Sequence, residues 1–426
     1  MKTPGTNRRD FLKTSAASAS ALALAGAPFV HASSDETLKV GLVGCGGRGT
    51  GAAAQALKAD PNVRLWAVGD AFRDRLDSSL SQLRRNRDLA NKITVPAERQ
   101  FVGFDAYKDV IASDVDVVLL CTPPHFRPLH LRAAVNANKH IFCEKPVAVD
   151  APGIRSVLAT CEEAKRRNLS IVSGLCYRYE PAKREVMKRI HDGAIGPILA
   201  LHTTYDTGAL WMKERQPAWS DMEWQMRNWL YFTWLSGDHN VEQHIHSIDK
   251  MAWAMNDVYP VKCVGLGGRQ VRTGPEFGHI FDHHAVVYEY ASGVKCFSFC
   301  RQQEGAANNV TDFVVGTTGI ADVMRHRLVN HQQAPTWRYD GARADMYQVE
   351  HTELFAGIRS GQHINNGDYM AKSTLMAIMG RMATYTGQEI TWQRALNSTE
   401  DLTPPRYEWG PMPVPPVARP GITAFA

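Results

Sequence analysis

This 426-residue chain contains no Cys-x-x-Cys pair and no internal repeat, and after residue 32 it has no long uncharged apolar run. Its eight cysteines, Cys45, Cys121, Cys143, Cys161, Cys176, Cys263, Cys296 and Cys300, are scattered, most of them within apolar strand-like runs. That pattern excludes a disulfide framework or zinc motif, and buried free thiols are expected instead. Charge of one sign is also lacking, with 48 Lys and Arg against 43 Asp and Glu. Near-balance argues against a nucleic-acid partner. Without a second apolar run, no membrane span is expected.

What is present begins with Asn7-Arg8-Arg9-Asp10-Phe11-Leu12-Lys13, followed by the uncharged stretch Thr14 to Ala27 and the small-residue site Val30-His31-Ala32. This order reads as a twin-arginine export signal over residues 1–32, set aside from fold reasoning. Its partner is the twin-arginine translocation machinery, and its destination is periplasmic or extracytoplasmic. Such a chain crosses the membrane folded. Any cofactor would then be loaded in the cytoplasm, held tightly and recycled in place.

From Leu38 onward, short β-branched runs alternate with helical segments, the pattern of a parallel sheet with crossover helices. Strands are expected at Lys39 to Val43, Val63 to Gly69, Val115 to Cys121 and His140 to Cys143. After Gly196-Pro197 the strands lengthen and alternate, with a hairpin at Ser292-Gly293. The expected fold is α/β. A doubly wound Rossmann sheet occupies residues 36–160, and an α+β domain with a large open, mostly antiparallel sheet occupies 161–403. A proline-rich arm over 404–426 lies on the body or on a partner subunit.

The first strand runs into Gly44-Cys45-Gly46-Gly47-Arg48-Gly49, and a helix follows. In that context the glycines carry meaning: Gly44 for the tight turn, Gly46 for backbone approach to a pyrophosphate, Gly49 for close helix packing. Asp70, ending the second strand, is placed to accept hydrogen bonds from ribose hydroxyls, which favours NAD over NADP. A second cluster, His239, Glu242, His246 and Asp249, has spacings that put all four on one face of a helix capped by Asp238, opposite Val241, Ile245, Ile248 and Ala252. His244 points away and is expected to pack behind the site. The histidines have no recognised ligand spacing and hydride transfer needs no metal, so no metal is expected. Trp211, Trp219, Trp224, Trp229 and Trp234 precede this cluster and suit either a sugar-binding cleft or a core.

Cys121-Thr122-Pro123-Pro124-His125 and Glu144-Lys145-Pro146 each follow an apolar strand. With the glycine motif, they make the chain resemble the glucose–fructose oxidoreductase / inositol dehydrogenase (Gfo/Idh/MocA) family from Val40 to about Gly421. The resemblance implies that Thr122, Pro123, His125, Glu144 and Lys145 bound the dinucleotide, and that Lys145 reaches the substrate hydroxyl. It also implies that His246 is the catalytic histidine and that Tyr177-Arg178-Tyr179 borders the substrate. Trp229 from the aromatic run and His239 from the shared helix face are expected beside the substrate as well. Glu242 stands where the family usually has Asp, and is read here as tuning His246.

The expected activity is transfer of hydride from a sugar, glycoside or polyol carbinol to bound NAD, by a homo-oligomer, a dimer or tetramer. One alternative is an NAD-dependent glycoside hydrolase working by transient oxidation and elimination; another is a nucleotide-bound sensor without catalysis.

Overall fold

The computed structural model describes residues 36–426, so the export signal read over residues 1–32 lies outside the described residues. Aliphatic and β-branched runs build six strands: β1 (Leu38–Val43), β2 (Val63–Asp70), β3 (Gln100–Val102), β4 (Val117–Leu120), β5 (His140–Cys143) and β6 (Ile171–Ser173). They lie in the order β3-β2-β1-β4-β5-β6, every pair parallel. Helices cover both faces of such a sheet, which is why β4 reads Val-Val-Leu-Leu with all four residues buried. The order reverses between β1 and β4, and a crevice opens there at the carboxyl ends of the strands. The boundary expected at residue 160 falls inside the helix Ala151–Arg166, and β6 beyond it completes the first sheet.

The second sheet has nine strands: β7 (Ile198–Thr207), β8 (Lys262–Gly268), β9 (His283–Glu289), β10 (Lys295–Gln302), β11 (Asn309–Gly316), β12 (Ile320–Asp322), β13 (Arg327–Val329), β14 (Pro335–Arg338) and β15 (Ile390–Thr391). Only β7 and β10 pair in parallel. The expected hairpin joins β9 to β10, with Gly293 at φ 86° in its turn. One face of the sheet is covered by the 20-residue helix Gly367–Thr386, which packs on β8, β9 and the helix Ala151–Arg166 and so ties the two domains together. Its Arg381 is wholly buried, held by the Val149 carbonyl and Glu400.

Two later segments return to the first domain. The helix Met346–Ser360 packs on the helix Gly47–Ala59. Its first turn carries Tyr347, a residue of the site. The proline-rich arm lies over the body of its own chain: Gly410 and Met412 hydrogen-bond the helix Asp221–Arg227, and Gly421 bonds Thr386. All eight cysteines are free and seven are buried. Among the described residues no helix is long and apolar enough to cross a membrane.

Candidate active site

A cleft of about 770 Å³ runs from the glycine turn after β1 to the start of the second domain. At its near end Gly44 has φ 96°, and a Cβ there would meet the Cys121 carbonyl carbon at 2.6 Å. A Cβ on Gly49 would lie 1.9 Å from the Gly44 oxygen, so only glycine lets the helix sit this close. Gly46 and Gly47 differ, since a Cβ on either meets nothing within 4 Å. The space beside them is open, and the first-turn amides of the helix Gly47–Ala59 lack intrahelical acceptors, so this end suits a pyrophosphate. Asp70 lines the same end and accepts hydrogen bonds from the Cys45 and Phe72 amides at 2.6 and 2.9 Å. Burial pushes its carboxyl above its ordinary value. These residues fit a nicotinamide dinucleotide.

Arg48 does not face the anion. It crosses to Glu144 and, at 3.4 Å, to Glu350. Burial and the neighbouring Glu144 push the Glu350 carboxyl well up, while Arg48, Arg127 and Lys145 overcome burial to hold Glu144 below its ordinary value. One guanidinium thus bridges both carboxylates, closer to Glu144 than to Glu350. Glu350 and Tyr347, which also lines the cleft, come from the returning helix Met346–Ser360. No local motif marks either of them.

At the far end of the cleft stand Lys145, Glu242 and His246. Lys145 follows β5 and its peptide bond to Pro146 is cis. Its ammonium donates to the Glu242 carboxylate at 2.9 Å and to the Glu242 carbonyl at 2.8 Å. Glu242 therefore engages Lys145, not His246 as read from the sequence. His246 Nδ1 is buried without a hydrogen-bond partner. Burial, then Lys145 and Lys250, hold the imidazole well below its ordinary pKa. Its ring stands nearly perpendicular to that of Tyr177, the centroids 5.3 Å apart.

The helix expected to carry His239 through Asp249 is broken: His239–Glu242 is one short turn and Ile245–Ala254 a second helix. Between them His244 turns inward to Ser298 at 2.7 Å, packed behind the site as expected. The break sends the polar residues in different directions. His239, expected beside the substrate, does not line the cleft; its ring bonds Asp238 at 2.8 Å. Asp249 pairs with Arg178, and the apolar set Val241, Ile245, Ile248 and Ala252 is fully buried.

Arg178, also expected beside the substrate, does not line the cleft either. It is buried between Asp249 at 2.8 Å and Asp257 at 2.5 Å and stacked on Tyr369. Tyr179 is buried with its hydroxyl on Asn366, and Tyr177 supports His246 without lining the cleft. These three occupy a 3-10 turn, whose tight winding points them at separate partners.

Thr122 and Pro123 line the cleft, but His125 does not. Its ring meets the Tyr407 hydroxyl at 2.8 Å, and burial lowers its pKa to about 4. Of the five tryptophans, Trp211 and Trp229 line the cleft, 6.3 Å apart, whereas Trp224 and Trp234 are core.

Asp238, His239 and His284 come within ligand distance of one another. Asp238 is held at φ 74°, a backbone conformation costly for a residue with a Cβ. Its carboxylate takes the amides of His239 and Phe281 and the Tyr385 hydroxyl. These bonds use the carboxylate as a hub joining the histidine turn to β9 and the helix Gly367–Thr386.

A doubly wound sheet with a dinucleotide cleft, closed by an α+β domain that brings a lysine and a neutral histidine to its end, defines a dinucleotide-dependent oxidoreductase. Residues 38–172 match the Gfo/Idh/MocA model, the oxidoreductase family with an NAD-binding Rossmann fold, and this domain belongs to that family. Among curated relatives, a 2,7-anhydro-N-acetylneuraminate hydratase of Escherichia coli is 26% identical over 208 residues, 48% of this chain and 51% of that protein. An inositol 2-dehydrogenase of Serratia proteamaculans is 27% identical over 289 residues, 67% of this chain and 73% of the relative. The match thus spans about half of the hydratase. The solved myo-inositol 2-dehydrogenase of Lactobacillus plantarum shares the fold with a TM-score of 0.63 at 20% identity, covering 84% of this chain and 99% of that one.

Proposed function

We propose that this protein oxidises a hydroxyl of a sugar, glycoside or polyol with tightly held NAD that is recycled within the site. The observation that carries the reading is the juxtaposition of the Lys145 ammonium and the neutral, unpartnered His246 at the end of the dinucleotide cleft. The nicotinamide, when bound, supplies the hydride acceptor. Lys145, drawn from Glu242 by the entering hydroxyl, polarises it, and His246 takes its proton. Trp211 and Trp229 offer faces to the C–H surface of the ring.

The name of the Serratia relative supports a polyol substrate. Asp70 favours NAD, because a 2′-phosphate would face its carboxylate. Retention is supported by the arm: Trp409 packs on Phe72 and Phe104, with ring centroids 5.2 and 4.6 Å apart, and both phenylalanines line the cleft. Retention also suits an extracytoplasmic enzyme exported folded by the twin-arginine route.

Val264, Leu266 and Phe297, exposed on one face of the second sheet, support a homo-oligomer, which sedimentation velocity would detect. A screen of polyols and sugars against the purified protein, read by absorbance of reduced nicotinamide without added nucleotide, tests the redox reading. No reduction by any of them would contradict it.

A second reading is a redox-neutral cycle of oxidation, elimination, addition of water and re-reduction, favoured by the name of the Escherichia coli hydratase. Release of aglycone from aryl glycosides with no net reduced nucleotide would select it.

A further inference from the structure

A second cavity, of about 800 Å³, lies beyond Tyr177 from the cleft, and nothing in the redox chemistry uses it. Arg325, Arg327, Arg338 and Arg343 line it, with two carboxylates in the lining, Glu180 and Asp340, and a third, Asp322, against Arg327. Glu180 is already engaged: it takes Lys183 at 2.7 Å and His326 at 3.0 Å, which outweigh burial and bring its pKa down to about 2. Arg327 is held by Asp322 at 3.0 Å, while the Arg325 guanidinium comes no closer than 3.9 Å to that carboxylate. Arg338 and Arg343 have no side-chain bond or ion pair among the described residues. The helix Pro181–His191 opens on the same cavity through Pro181 and Ala182, so its dipole adds potential of the same sign.

Several guanidinium groups around one space, with too few acids to pair them, make a field that an anion relieves. Their planar forks match carboxylate, sulfate and phosphate oxygens in pairs. The position ties the cavity to the cleft. His326 meets Lys183 at 3.0 Å, the Lys183 ammonium lies 4.6 Å from the Tyr177 ring centre, and Tyr177 packs on His246. The chain that lines the cavity from Arg338 to Ala344 runs directly into Tyr347 of the cleft. Tyr339, half-buried in the cavity wall, offers a ring for a sugar face.

We infer that this cavity binds an anionic carbohydrate, a sugar bearing a carboxylate or a sulfate ester, with the charged group among Arg325, Arg338 and Arg343. The carbohydrate half rests on the proposed function; the anion half stands on the arginines.

The test is calorimetric titration of the mature protein with inorganic sulfate and with D-glucuronate at fixed ionic strength, with glucose as the neutral control. Both anions should saturate a single site that glucose does not fill, and binding should weaken at least about ten-fold in Arg338→Gln/Arg343→Gln. Those side chains are on the surface, so unchanged circular dichroism and nucleotide content would show an intact fold in the double variant. No saturable sulfate binding, or binding indifferent to the double substitution, overturns the site. Sulfate binding without glucuronate binding overturns its assignment to a carbohydrate. Reduction of bound nucleotide by neutral polyols reports on the redox reading separately, so either idea can fail while the other stands.

Discussion

Lys145 and Glu242 form one unit, a half-buried ion pair at the end of the cleft, and removing either partner strands the other. Lys145→Ala and Glu242→Ala should each lower kcat by about two to four orders of magnitude, and the double variant should lose little more, because groups acting together are strongly non-additive. Nucleotide content measured after denaturation should stay unchanged in all three. His246, held well below its ordinary pKa, stays neutral as pH falls past 6.5, where an ordinary histidine would gain its proton and cease to be a base. The acid limb of kcat/KM should therefore lie below about 6.5, and Lys250→Met, which removes one of the charges holding His246 down, should move that limb upward. Lys145, Glu242 and His246 were legible because each sits on a local signal, a strand end or a histidine-rich turn. Arg178, Tyr179, His239 and His125 lie outside the cleft lining because their partners, Asp257, Asn366, Asp238 and Tyr407, are fixed by tertiary folding that local spacing does not encode.

Elements set by periodicity were legible to within a turn, since a buried β4 and the amphipathic helix Ala151–Arg166 each leave a pattern in the chain. The helix break at Gln243 and His244 left none. It follows from His244 reaching Ser298 on β10, an inward pull that the 3.6-residue period cannot reveal. The returning helix Met346–Ser360 was seen as a helix but not as a wall of the cleft, because its contacts with the helix Gly47–Ala59 join distant parts of the chain. The proline-rich arm was read as a cover without its target. Its contacts with Phe72, Phe104 and His125 make it a strap over the nucleotide end of the cleft. Trp409→Ala should raise the rate of nucleotide loss by about ten-fold, as expected when one aromatic contact worth roughly 1 kcal/mol or more is lost. Gel filtration followed by assay of retained nucleotide would measure it, and the circular dichroism spectrum should not change.

The whole molecule buries an unusual set of neutral histidines. Burial lowers His125, His140, His239 and His279 to about 4 and His130 and His351 to about 3, from an ordinary value of 6.5. Between those values the unfolded chain binds protons that the folded chain does not, so stability is full above about 6.5 and falls as pH drops toward 4. Tm should decline steadily over that window, with uptake of at least about two protons on unfolding near pH 5.5 measurable by calorimetry in buffers of different ionisation heat. The fold that buries these groups also builds a cleft with a strap across one end and a lysine and a neutral histidine at the other. In the function proposed above, NAD stays with the protein and is reduced and restored inside it. The nucleotide content of the purified protein, followed by its reduction on adding a polyol, tests this. The account predicts close to one NAD per chain, which turns to NADH without any added nucleotide. Protein that comes out empty and turns over only when NAD is supplied would contradict it.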